Sequence, residues 1–180
     1  MVFKIQDISD LFPPYLWNLI LIAGAVIIGL ILKFILVRLL IFYRRKQQYS
    51  TFHSIIKHLG NPLTWFIPLL ILNLLMSWFL FGPKVEIVFD KLLYITLVVS
   101  FSILLIRTIP VFEDYVYHAF DMQKTDNLKE RKIRTQLQFL RKIGIALIII
   151  LTIAAILLSF ESMRKIGSYL ITSVGIGGII

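Results

Sequence analysis

Two groups of polar residues in this chain have types and spacings that could support chemistry. Asp114, His118 and Asp121 recur at i, i+4 and i+7, beside Glu113, and so share one face of a helix. Carboxylate and imidazole groups arranged in this way are metal-ligand types. No second acidic helix completes the coordination shell, so we interpret the four residues as solvated side chains and expect no metal and no cofactor.

The other possible catalytic patterns are weaker. His53 and His58 are five residues apart with no glutamate between them, which does not match the spacing of a zinc protease. The chain has no cysteine, and no serine, histidine and aspartate are spaced as a nucleophilic triad. A GIGG motif at 175–178 lacks the preceding strand and the full spacing of a phosphate-binding loop. We therefore expect that the protein is not an enzyme.

The elements that carry these residues are hydrophobic. The chain is 58% hydrophobic and only 16% charged, with a mean hydropathy of +0.87, which predicts that the bilayer is its solvent. Five apolar segments of helical length are visible, and none alternates like a strand, so the predicted class is an all-α integral membrane protein. The segments span about 15–43, 62–81, 88–109, 143–160 and 168–180.

Two helix boundaries can be predicted more closely. Asn61 and Pro62 are typical of an N-cap followed by a first helical residue, so the second helix is expected to begin there. The fifth segment has only thirteen residues before Ile180, about 20 Å of helix against the roughly 30 Å of hydrocarbon. We expect it to be the truncated first half of a transmembrane helix.

The loops give an orientation. Residues 44–61 contain four basic residues and no acidic one, and residues 107–142 contain eight basic residues. The positive-inside rule places both loops in the cytoplasm and the N-terminus outside. Before the fourth segment, Ile133, Leu137 and Leu140 share one face among basic residues, which predicts a helix lying at the headgroup level before the chain turns into the membrane.

The basic residues near the cytoplasmic ends predict contacts with anionic lipid headgroups. Lys33 and Arg38 could be lipid or tension sensors, but we favour the interpretation that their long side chains lie along the lipid and place their charges in the interface. The residues expected to anchor the protein to lipid are Lys33, Arg38, Arg44, Arg45, Lys46, Arg131, Lys132 and Arg134.

Small residues in the fifth segment indicate close helix packing. In a bilayer, helices associate through fit, and small residues let their backbones approach. The residues of this segment that we expect to pack closely against other helices are Ser173, Gly175, Gly177 and Gly178. Ala25 and Gly29 are expected to do the same in the first helix.

Residues 134–180 resemble the MscS family of small-conductance mechanosensitive channels. The resemblance rests on three segments in this order. A basic segment at 135–142 precedes an uninterrupted apolar helix, a short turn follows at 160–167, and a glycine-rich helix begins at 173–180. It implies a pore-lining fifth helix, a homo-heptamer in a bacterial-type inner membrane, and no enzymatic step. The family's Gly-Phe-Ala-Ala-Gln continuation and its soluble C-terminal domain are absent from this chain.

This resemblance implies that the chain has two regions with different roles. Residues 1–133 would be peripheral transmembrane helices and a cytoplasmic loop, and residues 134–180 the channel-core helices. The implied function is a membrane-tension-gated ion channel of low selectivity that releases osmotic pressure. The alternative, from another class, is the transmembrane input module of a receptor or sensor kinase.

The topology can be tested directly because the chain has no cysteine. Single cysteines at Gln48 and Lys124 are expected to react only with reagents that reach the cytoplasm. Labelling of either position from outside an intact cell, measured with a membrane-impermeant maleimide, would contradict the orientation.

Overall fold

Every regular element that the structure describes is a helix. The computed structural model describes residues 12–44, 51–119 and 127–177, and within them the side chains of 12–42, 53–117 and 132–177. The five α-helices are α1 (Pro14–Arg44), α2 (Thr51–Leu74), α3 (Pro83–Ala119), α4 (Asn127–Leu158) and α5 (Arg164–Gly177). Two single 3-10 turns, Met76–Trp78 and Glu161–Met163, follow α2 and α4.

The apolar side chains of these helices face outward. Leu19 and Val88 are about 60% exposed, whereas a soluble protein would bury most residues of this kind. Four helices, α1 to α4, contain stretches long and apolar enough to cross a membrane. The chain is therefore an all-α membrane protein, as its composition predicts.

Each helix packs antiparallel on the one before it. α1 packs on α2, α2 on α3, α3 on α4 and α4 on α5. The small core between the first three helices contains Ala25, Leu72 and Leu93. At the end where α1 begins, Asn18 makes two hydrogen bonds with the backbone of Leu80, and the Trp17 indole donates to the carbonyl of Trp78. These bonds attach the turn between α2 and α3 to the first helix.

The closest backbone approach lies between α1 and α2. A Cβ added to Gly29 would lie only 2.6–2.8 Å from atoms of Pro68, two of them backbone atoms. Ala25, one turn earlier in α1, is completely buried. The expected packing role of Ala25 and Gly29 is therefore confirmed.

The predicted start of the second helix is wrong. α2 begins at Thr51, passes through Asn61 and contains both Pro62 and Pro68. It also ends at Leu74 instead of near residue 81. Proline is tolerated within helices of membrane proteins because neighbouring groups and local adjustments compensate for its missing N–H. The residues before Asn61 remain helical where Ser54 and His58 contact α3.

The helices next to the second predicted basic loop are longer than expected. α3 continues past residue 109 and Pro110 to Ala119. The amphipathic segment before residue 143 does not turn into the membrane as a separate helix, because α4 is one continuous helix of 32 residues. At 1.5 Å per residue α4 is about 48 Å long, more than a bilayer core requires.

The Gly29–Pro68 contact yields a stability prediction. Gly29→Ala is expected to destabilise the protein by about 1–3 kcal/mol, because the added methyl group overpacks against backbone that has no room to move. Gly24→Ala is the matched control, since a Cβ at Gly24 meets no atom within 4 Å. The measurement is the thermal unfolding midpoint in lipid nanodiscs. Equal midpoints for the two variants would contradict the close packing.

Candidate functional site

A polar cluster joins the first turns of α2 to the last turns of α3. The Ser54 hydroxyl donates to Asp114 Oδ2 over 2.5 Å, and His58 Nε2 lies 3.1 Å from the same oxygen atom. Ser54 is buried, and the side chains of His58 and Asp114 are 18% and 31% exposed. His58 follows Ser54 at the i+4 position, so about one turn of helix places both side chains on the face that meets α3.

The order of contacts in this cluster does not support nucleophilic catalysis. A catalytic histidine lies between the serine, whose proton it accepts, and the carboxylate that orients it. Here serine and histidine both contact the carboxylate, so the histidine does not lie between the Ser54 hydroxyl and Asp114 as such a triad requires. The cluster instead acts as a bridge between α2 and α3.

The expectation that these acidic residues are simply solvated is wrong for Glu113 and Asp114, because both side chains contact neighbouring helices. Glu113 and Asp114 are adjacent in sequence but contact different helices: Glu113 pairs with Arg141 of α4, whereas Asp114 faces α2. The side chains of His118 and Asp121 lie outside the described residues. Among the described residues, no group of three or more histidine, cysteine and acidic side chains could hold a metal ion.

The Glu113–Arg141 ion pair lies beside an apolar groove between α3 and α4. Arg141 Nη1 is 3.1 Å from Glu113 Oε2, and the two side chains are 47% and 12% exposed. The groove has a volume of about 280 Å³, and its apolar lining is Ile109, Phe112, Leu137, Leu140, Ile143 and Gly144. Because the charged groups at its edge already pair with each other, the groove does not have the convergent free polar groups of a substrate site.

Polar contacts recur along the whole α3–α4 interface. From one end to the other, the Lys91 ammonium lies over the Phe160 ring, the Tyr94 hydroxyl is 3.4 Å from the carbonyl of Ala155, and Thr152 donates to Ser102 over 2.6 Å. Glu113 and Arg141 close the series. Lys91 and Glu113 are 22 residues apart in one helix, about 33 Å, which is close to the roughly 30 Å thickness of a hydrocarbon core.

α5 differs from the other helices in its surroundings. It packs closely on α4 next to the turn, where a Cβ on Gly167 would lie 2.9 Å from the carbonyl of Ala154. Further along, Ser173, Gly175 and Gly177 are exposed, and a Cβ on either of these two glycines would meet no atom within 4 Å. Gly178, the fourth of the expected packing residues, lies outside the described residues.

Of the expected lipid anchors, the structure describes the side chains of Lys33 and Arg38 in α1 and of Lys132 and Arg134 in α4. Arg38 lies over the Phe34 ring at 5.1 Å, Lys33 is half-buried, and Lys132 and Arg134 are exposed on α4. Arg45 and Lys46 lie outside the described residues. Arg44 and Arg131 are within α1 and α4, but their side chains also lie outside the described part.

Sequence analysis missed three pairings: Ser54 and His58 with Asp114, Glu113 with Arg141, and Ser102 with Thr152. The available signal was the presence of polar residues within long apolar runs, which in membranes often mark contacts between helices. Comparisons of the chain with models of protein families, with curated proteins and with solved structures found no match.

Replacing Arg141 should destabilise the protein more than replacing Glu113, because Glu113 is the more buried member of the pair. Arg141→Met leaves the more buried Glu113 carboxylate without its hydrogen-bonded cation, at a cost of about 1–3 kcal/mol, because the half-exposed Arg141 is partly screened by its surroundings. Glu113→Gln frees an arginine that is already half-exposed and should cost less. Thermal midpoints in nanodiscs measure both, with the exposed neighbour Lys142→Met as the control. Equal losses for Arg141→Met and Lys142→Met would contradict a stabilising pair.

Proposed function

We propose that this chain is the membrane-embedded sensor of a tension-gated ion channel of low selectivity, together with the start of its pore wall. In this proposal α1 to α5 are five membrane spans, the N-terminus is outside, and α5 lines the pore. Several copies assemble around one axis, seven by resemblance to the MscS family, in a bacterial-type inner membrane. The proposed activity is the release of solutes under osmotic stress.

The observation that carries this proposal is the pair of open glycines in α5. Gly175 and Gly177 lie on different sides of the helix, and no part of the described chain covers their Cβ positions. In a bilayer such small residues let helices approach each other closely. Identical helices from neighbouring copies on the two sides are the proposed partners, and the absence of side-chain bulk at these positions allows them to slide.

The packing of the other helices fits a unit that transmits force. The α1–α2 approach at Gly29 and the polar contacts along α3 and α4 restrict sliding within α1 to α4. Tension favours the conformation with the larger in-plane area and shifts the population toward it. In the proposed mechanism α1 to α4 tilt with the bilayer, and α5 follows through its turn at Gly167.

Anionic lipid is the proposed partner at the basic end of the bundle. Arg38, Lys132 and Arg134 expose cationic groups near the ends of α1 and α4. Each such group attracts an anionic leaflet by about 1 kcal/mol. These contacts would hold the sensor helices to the lipid while tension acts on them.

Bulky substitution of the open glycines tests the proposal. In the protein expressed from its gene, Gly175→Leu and Gly177→Leu should shift the tension threshold in patch recordings with expression roughly unchanged, because overpacking between copies costs about 1–3 kcal/mol per contact. Gly24→Leu is the control, since its Cβ position in α1 is equally open within the chain.

Two outcomes would contradict the proposal. An unchanged threshold in both α5 variants would show that the two open glycines are ordinary helix residues. The absence of any tension-activated current from well-expressed wild-type protein would contradict the channel itself, and would favour the alternative of an input module for a receptor or sensor kinase.

A further inference from the structure

The apolar groove between α3 and α4 has the amphipathic character of a site for an amphiphile. Ile109 and Phe112 line it from α3, and Leu140 lines it from α4. The Glu113–Arg141 pair, which joins the two helices, lies at its edge, and every other lining residue is apolar. The groove therefore presents charged side chains at one edge and apolar surface elsewhere.

The size of the groove fits one alkyl chain. An apolar protein cavity of about 150 Å³ holds a benzene molecule, so the groove volume of about 280 Å³ holds roughly eleven carbon atoms at the same packing. A phospholipid with two chains cannot place both of them in this volume. An amphiphile with a single chain of about twelve carbons, its polar end included, matches it.

The groove can be reached from the bilayer. Phe112 and Leu140 are 66% and 65% exposed, so its walls are open on the lipid side. Glu113 and Arg141 lie at one end of the roughly 33 Å interval that begins at Lys91, which is close to the thickness of the hydrocarbon. The charged edge is therefore at the level where the head of an amphiphile lies.

Arg141 supplies a group that recognises an anionic head. Its guanidinium has N–H donors on Nε, Nη1 and Nη2, and the contact with Glu113 uses Nη1. The Arg141 side chain is 47% exposed, so the opposite edge of the guanidinium is open to the headgroup region. A planar fork of donors matches the two oxygen atoms of a carboxylate. A small carboxylate head can therefore share this arginine with Glu113.

Other charges on α4 also favour an anion at this position. Lys132, Arg134 and Lys142 are exposed, and their positive charge offsets the repulsion that Glu113 would exert on a second carboxylate. None of the three lines the groove. They attract an anion to this end of α4, whereas Arg141 is the basic residue placed to contact it in the groove.

We propose that the α3–α4 groove binds a fatty-acid anion of about twelve carbons, with its chain along the apolar lining and its carboxylate on Arg141. The bilayer already solvates the chain, so selectivity comes from close fit and from the contact between carboxylate and guanidinium. This inference does not depend on the proposed function, because binding requires no pore.

Photocrosslinking tests the groove directly. The 180-residue chain in phosphatidylcholine nanodiscs is exposed to laurate with a diazirine at the end of its chain, at about pH 8 so that the carboxyl group is ionised. Adducts within residues 109–113 and 137–144, mapped by mass spectrometry, should saturate as the probe concentration rises. Excess unlabelled laurate should remove them, whereas dodecyltrimethylammonium, with the same chain and a cationic head, should not.

Three variants separate recognition of the head from attraction by charge. Arg141→Lys keeps the charge but loses the planar fork, and it should weaken saturable labelling by about tenfold. Lys142→Met removes a whole charge beside the groove, yet it should weaken labelling much less. Gly144→Leu, which places a side chain in the groove, should abolish labelling, with Gly24→Leu in open space as its control.

Three results would overturn the proposal. Labelling that does not saturate, or that dodecyltrimethylammonium removes as well as laurate does, would show only that the chain dissolves in the bilayer. Labelling that laurate leaves unchanged but that phosphatidylglycerol removes would assign the groove to a lipid of the bilayer. Both use the wild type and hold even if Arg141→Lys fails to fold. A larger loss in Lys142→Met than in Arg141→Lys would leave only long-range attraction.

Discussion

Helices in hydrocarbon cannot be held together by the hydrophobic effect, and this constraint explains most of the structure. Lipid chains solvate an apolar side chain as well as another helix does, so association depends on close fit and on polar contacts. The large side chains consequently point outward, and the buried positions include the small residue Ala25. The approach of Gly29 to Pro68 is the closest example of such fit, with backbone against backbone.

Polar contacts between helices supply attraction that the burial of apolar side chains cannot supply in hydrocarbon. The α3–α4 interface has a hydroxyl pair near its middle and charged side chains near both ends. Each contact restricts sliding of one helix along the other, because a shift by one residue would leave polar groups in hydrocarbon without partners. The register of α3 on α4 is therefore defined at several levels of the membrane at once.

The connection of α5 to the bundle contrasts with these contacts. Gly167 packs tightly against α4 next to the turn, but Gly175 and Gly177 face open space. Within the described chain, no atom lies within 4 Å of the Cβ positions of these two glycines, in contrast to Gly29 in α1. The proposed assembly of several copies would supply neighbours for this surface, and its low bulk would allow those neighbours to move.

Composition and periodicity alone determined the all-α membrane class and the small residues that pack α1 on α2, whereas the bounds of α2, α3 and α4 differ from those predicted. Hydropathy carries this information because it depends on local sequence. The tertiary structure decided which polar groups meet. Local signals suggested a helix start at Asn61 and one solvated acidic face at 113–121, but Ser54 and His58 extend α2 by meeting Asp114, and Glu113 meets Arg141 instead. Residues 28 to 60 positions apart form these contacts, and only the packing of whole helices brings them together.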